Sequence, residues 1–433
     1  MTTSAQRRLE AFKRLLAHAH SRLAPGFGFV LWDGSTVPAD LPAGALALSI
    51  ADEGAIAGLV RRPTFDTVMN LWVSGRLDIR NGTFFDVIAA RPKVRTREIR
   101  KSFDKRLLLS TLSKFLFVPR GGPWPLERIA AEARADGSAE TYKANISKHY
   151  DVSNAFYGLF LDPEMVYSCA YFTDWSNDLA IAQRDKLEMI CRKLRLKAGE
   201  RMLDLGCGWG GLACYAAQHY GVHVHALTLS EQQVAYAREK VARLGLGDRV
   251  SINLSDHKAV QGEFDKIVQI EMFEHLGLDN HPDFFQTIHR LLKPGGLYLH
   301  HSCTHPAKAN DRKFRKKSAV YAATIRYVFP GGEVDHIGMT LANLERFGFD
   351  VHDVESWREH FARTCRIWHD RLIQNRAAAE REVGPEKVRI WLAFFMGCAI
   401  GFERSSIGIF QTLASKRTRG PSLLPPTRAD LFR

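Results

Sequence analysis

The sequence predicts an α/β protein, a doubly wound sheet with helices on both faces and helical additions, preceded by a smaller N-terminal α+β domain. Three observations carry this. From about residue 198, strand-like and helix-like segments alternate at a spacing that requires parallel strands joined by right-handed crossovers. Glycines at 206, 208, 210 and 211 fall at the turn between the first of these strands and the helix that follows. Upstream, FVLWDGS, LALSIADE and GRLDIRNG read as short strands separated by turn residues. The domains are drawn at 1–125 for the N-terminal module, 126–145 for a linker helix and 146–433 for the C-terminal domain.

Taken in chain order, the first segment, MTTSAQRRLEAFKRLLAHAHSRL, has a basic amphipathic helical pattern. It lacks the apolar core and cleavage site of a secretory signal. After the short strands, residues 91–120 hold ten Lys or Arg against Glu98 and Asp104, a local balance of +8. This block runs into LLLSTLSKFLFVPRGGPWP, and its interleaved apolar residues predict a helix lying on a phospholipid surface. A solvated charged face is the plainer alternative. Gly121, Gly122, Pro123 and Pro125 punctuate the chain, and the polar, alanine-rich stretch 130–142 reads as a linker helix.

Next, strands at 201–205, 222–227, 250–254, 264–270 and 296–302 alternate with helices at 211–219, 231–244 and 281–292. After Pro306 the pattern is helical, with a basic loop, KANDRKFRKK, and a helix-rich tail from Arg358 onward. The longest apolar stretch, 390–402, falls short of the roughly 18 residues of a membrane span.

A chain of 433 residues, 45% hydrophobic and 25% charged, is neither disordered nor a single small module. Its net charge of +13 points to an anionic partner: nucleic acid, an anionic membrane surface or a charged metabolite. The 7 cysteines form no CxxC pair and no zinc-ligand spacing, so they read as free thiols of a reducing compartment. A cytoplasmic protein is therefore expected.

The segment LDLGCGWGGL, residues 203–212, spaces its glycines GxGxG rather than the GxGxxG of dinucleotide sites, with Asp204 two residues before Gly206. This loop resembles the S-adenosylmethionine-binding loop of class I methyltransferases. HYDVSNAFYGLFLDPEMVYSCAYF (149–172), LTLSEQQ (227–233), EMFEHLG (271–277) and YVFPGG (327–332) extend the likeness. Together the five motifs follow the order seen in cyclopropane-fatty-acyl-phospholipid synthases and mycolic acid cyclopropane synthases. The resemblance covers about residue 145 to the C-terminus, and the N-terminal module more loosely.

The resemblance implies S-adenosylmethionine as methyl donor, with Tyr167 and Ser168 at its carboxylate end, Gly206 and Gly208 beneath it, and Asp204 in the same loop. Thr228 and Gln233 are then expected near the ribose and Asp256 at the adenine edge. A strand cap for Thr228 and an Asx turn for Asp256 are the plainer readings.

An alkene acceptor needs no strong nucleophile, because its π electrons attack the sulfonium methyl and leave a cation to be sheltered and deprotonated. The resemblance assigns proton removal to a bound bicarbonate. Its holders would be the Cys169 backbone, Glu274, His301, the Cys303 backbone and a tyrosine hydroxyl. At the tyrosine position this chain has Phe361, which has no hydroxyl to donate. Tyr327 is expected to supply a hydroxyl from the opposite side, and Glu271 to assist with the sulfonium or the cation. His300 and His301 alternate across a strand and point apart, so no metal site is expected.

The function expected is methyl transfer to the double bond of an unsaturated acyl chain of phospholipid, giving a cyclopropane fatty acid. The alternative product is a methyl-branched or methylene chain. A catalytically degenerate lipid-binding or cofactor-binding protein is the reading from a different class. No nucleobase-type catalytic motif is present, so nucleic acid is not the expected partner. A homodimer, docked peripherally on the inner face of the membrane, follows from the resemblance.

Overall fold

The computed structural model describes residues 3–92, 104–127, 152–328, 332–421 and 424–432. The chain divides into two compact units, one comprising Met1–Arg134 with Pro385–Ala393, the other Ala135–Gly384 with Phe394–Arg433. The expected linker helix lies almost entirely outside the described residues, as do residues 93–103 of the basic block.

In the first unit the basic amphipathic segment forms the helix Ser4–Leu23, capped by Thr3 and burying Leu9, Ala11, Phe12 and Leu15. The short strands are β1 (Gly28–Val30), β2 (Thr36–Val37), β3 (Ala47–Ile50) and β4 (Leu77–Arg80), in the order β2-β1-β3-β4. Their core gathers Phe12, Leu31, Ile50, Ile56, Leu71 and Phe115. The segment 385–393 belongs here through Arg389. Its guanidinium lies 3.9 Å from the Trp72 ring centroid and its carbonyl accepts the Trp72 Nε1–H at 2.8 Å.

The second unit is built on a seven-stranded sheet. Its strands are β5 (Arg201–Leu205), β6 (His223–Thr228), β7 (Val250–Leu254), β8 (Phe264–Ile270), β9 (Leu292–Thr304), β10 (Phe349–Ser356) and β11 (Gly408–Lys416). Their order is β10-β11-β9-β8-β5-β6-β7, parallel from β9 through β7, with β11 antiparallel to both β9 and β10. Successive residues of β5 feed different cores, Met202 with Val224 and Leu299, Leu203 with Leu227 and Ile267. Burial on both faces explains the continuous apolar runs in these strands. The crossover helices start and stop where the sequence marks them. Ser230 caps Glu231–Arg243, and Gly221, at φ +67°, closes Gly211–Tyr220.

Two strands correct the helical reading after Pro306. β10 is masked by half-buried polar residues, and β11 lies between two neighbours, so neither shows the alternation that signals a strand. The apolar stretch 390–402 is packed inside the protein. It lies in the helix Pro385–Glu403, where Trp391, Leu392, Phe395 and Phe402 are all buried, so these side chains are core rather than membrane-facing. Among the described residues no helix is long and apolar enough to cross a membrane.

Candidate active site

Strand β5 lies between β6 and β8, and the chain runs outward through β6 and β7 before returning to the other side at β8. Such a reversal opens a crevice at the carboxyl ends of the strands. A cleft sits there, lined by the glycine loop, Tyr167, Lys186, Thr228 and Glu271 among others.

The glycine loop has the backbone its composition requires. Gly206, Gly208 and Gly210 have φ of +82°, +53° and +79°. A Cβ at Gly206 would stand 2.8 Å from Met272 Cβ, whereas one at Gly208 meets nothing within 4 Å. The loop is thus closed on the protein side and open on the cleft side, which fits a bound nucleoside. Asp204 is buried beside it with Oδ2 lacking a partner, and burial pushes its carboxyl up to about 7.

Ser168 Oγ accepts from Lys186 Nζ at 2.8 Å, and Tyr167 packs on Trp368 with ring centroids 5.0 Å apart. Thr228 Oγ1 donates to Gln233 Oε1 at 2.5 Å and accepts the Ser230 N–H, so both residues line the cleft as a bonded pair. Asp256 also lines it, but its Oδ1 accepts the Lys258 N–H at 2.9 Å in the Asx turn named as the plainer reading. The hydrogen bond from His257, together with this amide, holds its carboxyl down at about 2.

At the ends of β8 and β9 the expected catalytic residues converge. Glu271 Oε1 accepts the Cys169 N–H at 2.7 Å, and Glu274 Oε1 accepts the Cys303 N–H at 2.6 Å. His301 Nδ1 lies 3.1 Å from Gln411 Nε2, and its Nε2 lies 3.8 Å from Glu271 Oε1. Burial, reinforced by the charge of Glu274, pushes Glu271 up to about 8; burial alone leads the rise of Glu274 to about 7. Burial keeps His301 neutral and raises the thiols of Cys169 and Cys303 well above the ordinary range. The two amides expected to hold bicarbonate are therefore engaged by carboxylates of the chain.

Phe361 is buried against Phe402 and Trp368, at ring-centroid distances of 4.7 and 5.9 Å. Tyr327 is partly exposed, its hydroxyl 3.4 Å from Arg326 Nη1. Tyr321 feels the charge of Glu274, and its hydroxyl accepts the Val334 N–H at 3.0 Å. His300 faces away from His301, bonded to Tyr298 and Gln269.

Lys186 went unnoticed in the sequence. It is 1% exposed, lines the cleft, and burial depresses its ammonium to about 8 against the pull of Glu271, Asp162 and Asp204. Its signal is positional: Ala182, Lys186, Met189, Ile190 and Lys193 share the buried face of the helix Leu179–Leu194.

A glycine loop closed behind and open in front, at the switch point of this sheet, with a buried acid at its strand end, defines an S-adenosylmethionine-dependent methyltransferase. The comparisons with known proteins agree and narrow the class. The family model for mycolic acid cyclopropane synthetase matches residues 138–412, and the chain belongs to that family. A probable fatty acid methyltransferase of Pseudomonas putida is 37% identical over 407 residues, 93% of this chain and 95% of that protein. The cyclopropane-fatty-acyl-phospholipid synthase of Escherichia coli K12 is 35% identical over 269 residues, 62% of this chain and 67% of the relative. Among solved structures, a mycolic acid cyclopropane synthase complexed with SAH and CTAB is 32% identical, with a TM-score of 0.60 over 63% of this chain and 98% of that one.

Proposed function

We propose that this methyltransferase modifies the double bond of an unsaturated fatty acyl chain esterified in phospholipid. The observation that carries the proposal is the pair of buried carboxylates, Glu271 and Glu274, beside a cleft whose neighbouring thiols are held protonated. The thiols, held protonated by burial, offer no strong nucleophile of the chain's own. An alkene needs none, and the cation it becomes is stabilised by buried negative charge. The printed names of the relatives, a fatty acid methyltransferase and a fatty-acyl-phospholipid synthase, support the same acceptor.

When bound, S-adenosylmethionine supplies an electrophilic methyl group. Gly206 and Gly208 would lie under it, Ser168 and Lys186 would meet its carboxylate end, and Thr228 with Gln233 would flank the ribose. Loss of a proton from the added methyl closes a cyclopropane ring. Loss from a neighbouring chain carbon leaves a methyl-branched alkene, and a hydride shift followed by loss from the added methyl leaves a methylene group; Phe361, packed on Phe402, supplies no hydroxyl toward either outcome.

Docking on an anionic bilayer belongs to the same proposal. Leu109, Leu116 and Phe117 are 69%, 45% and 95% exposed, among Lys105, Arg106 and Lys114. That combination suits a surface of acyl chains and anionic headgroups. A homodimer is proposed on the resemblance alone.

The test is methyl transfer from radiolabelled S-adenosylmethionine to vesicles of anionic phospholipid bearing monounsaturated or fully saturated chains. Label in the unsaturated lipid alone supports the proposal. Label in neither supports a degenerate binding protein, and label in both places the methyl outside the double bond.

A further inference from the structure

Both backbone amides expected to hold bicarbonate are filled from within the chain. Cys169 N–H is bonded to Glu271 and Cys303 N–H to Glu274, at 2.7 and 2.6 Å, and the tyrosine position is Phe361. A free bicarbonate does not fit where both backbone donors are already satisfied by carboxylates and no tyrosine hydroxyl is supplied.

These carboxylates are not equivalent. Glu271 lines the cleft and keeps 13% of its side chain accessible; Glu274 is absent from the cleft lining, with Oε2 buried and without a partner. Glu271 also has φ +54°, a left-handed backbone that disfavours any side chain, and its N–H is tied to the His301 carbonyl at 2.8 Å. Strain of this kind persists where the surroundings enforce it, commonly at functional sites. His301 Nδ1 lies 3.1 Å from Gln411 Nε2; with that amide donating, the imidazole proton sits on Nε2. That Nε2 has no hydrogen-bond partner and lies 3.8 Å from Glu271 Oε1.

We infer that Glu271 takes the place of bicarbonate as the base of the reaction, its carboxylate positioned by the Cys169 N–H and steered by His301 Nε2–H. The inference rests on the proposed alkene acceptor. The π pair of the double bond forms the new carbon–methyl bond as the methyl–sulfur bond breaks, its electrons staying on sulfur. The neighbouring carbon is left cationic. A C–H bond of the added methyl, or of a chain carbon next to the cation, then breaks: the proton goes to the Glu271 carboxylate, and the electron pair closes a ring in the first case and forms a new double bond in the second.

The experiment compares wild type with Glu271→Gln, which keeps an oxygen acceptor for Cys169, and Glu271→Gly, which removes the carboxylate and suits the left-handed backbone. Label transfer into monounsaturated phospholipid is measured in buffer purged of carbon dioxide, with and without added bicarbonate. Wild type is expected to be indifferent to bicarbonate. Both variants are expected to fall about 100-fold or more, and Glu271→Gly to recover at least about tenfold when bicarbonate is added. Line broadening of ¹³C-bicarbonate, which needs no lipid, is expected with Glu271→Gly and not with wild type. Glu271→Gln that retains wild-type turnover overturns the inference, as does a wild type that binds bicarbonate or requires it. Wild type that methylates no unsaturated lipid defeats the proposed function instead, and the line-broadening comparison then still decides whether Glu271 fills the anion position.

Discussion

The ammonium of Lys186 donates to Ser168 Oγ at 2.8 Å while sharing a buried neighbourhood with Glu271 and Asp204, both of whose carboxyl groups its charge pulls down. One lysine thus both fixes a cofactor-side hydroxyl and keeps two acids closer to ionisation. Lys186→Met is expected to weaken S-adenosylmethionine binding about tenfold. It should also move the acid limb of the pH-rate profile upward by roughly one unit. Titration calorimetry and a pH series check both. An unshifted limb contradicts the electrostatic part.

The glycine loop predicts a contrast between two neighbouring substitutions. Gly206→Ala drives a Cβ to 2.8 Å from Met272 in a left-handed backbone and is expected to cost about 1–3 kcal/mol of stability. Gly208→Ala meets nothing within 4 Å, so its fold cost is the backbone strain of about 1 kcal/mol. Its methyl, however, enters the cleft and is expected to weaken cofactor binding about tenfold. Thermal melts with and without S-adenosylmethionine separate the two effects.

Buried acids set a pH dependence of stability. Asp204, Glu274 and Asp335 are raised to about 7 and Glu271 to about 8, each chiefly by burial. Folded-state pKa values above the unfolded ones mean that the folded chain holds protons the unfolded chain has released. Stability is therefore lost as pH rises toward the folded values. The buried histidines His275, His281 and His300, depressed to about 4, 4 and 3 by burial, oppose this below pH 6.5 and drop out above it. The melting temperature of the ligand-free protein is expected to fall between pH 6.5 and 8. A rise over that interval contradicts the burial of these acids.

Membrane docking rests on exposed apolar side chains among basic ones. Replacing Leu109 and Phe117 together by Ser is expected to weaken partition onto anionic vesicles about tenfold per side chain. Affinity for S-adenosylmethionine should be unchanged. Equal sedimentation of variant and wild type with vesicles contradicts the proposed surface.

The parallel sheet was legible because β5 to β9 are apolar runs separated by helices whose caps, such as Ser230 and Gly221, are themselves written in the sequence. β11 was not legible, because pairing with β9 and β10 is a long-range event that leaves no local pattern. In the site, the GxGxG spacing after a strand marks the loop, and the resemblance named Asp204, Gly206 and Gly208 in it. Lys186 was hidden among the charges of a basic helix, where only its register marks it as buried. Glu271 was named, but its ordering over Glu274 could not be read. It depends on a left-handed backbone at 271 and on which carboxylate turns toward the cleft.

The most direct test of the account is to supply S-adenosylmethionine bearing a trideuterated methyl group, with monounsaturated phospholipid vesicles, and to locate the deuterium in the released acyl chains by mass spectrometry. The account predicts a deuterated carbon on a former alkene carbon. Three deuteriums retained mark proton loss from the chain; two mark loss from the added methyl, as a ring or, after a hydride shift, as a methylene group, which chromatography against standards separates. Deuterium in the headgroup, or none in lipid at all, contradicts methyl transfer to the acyl double bond.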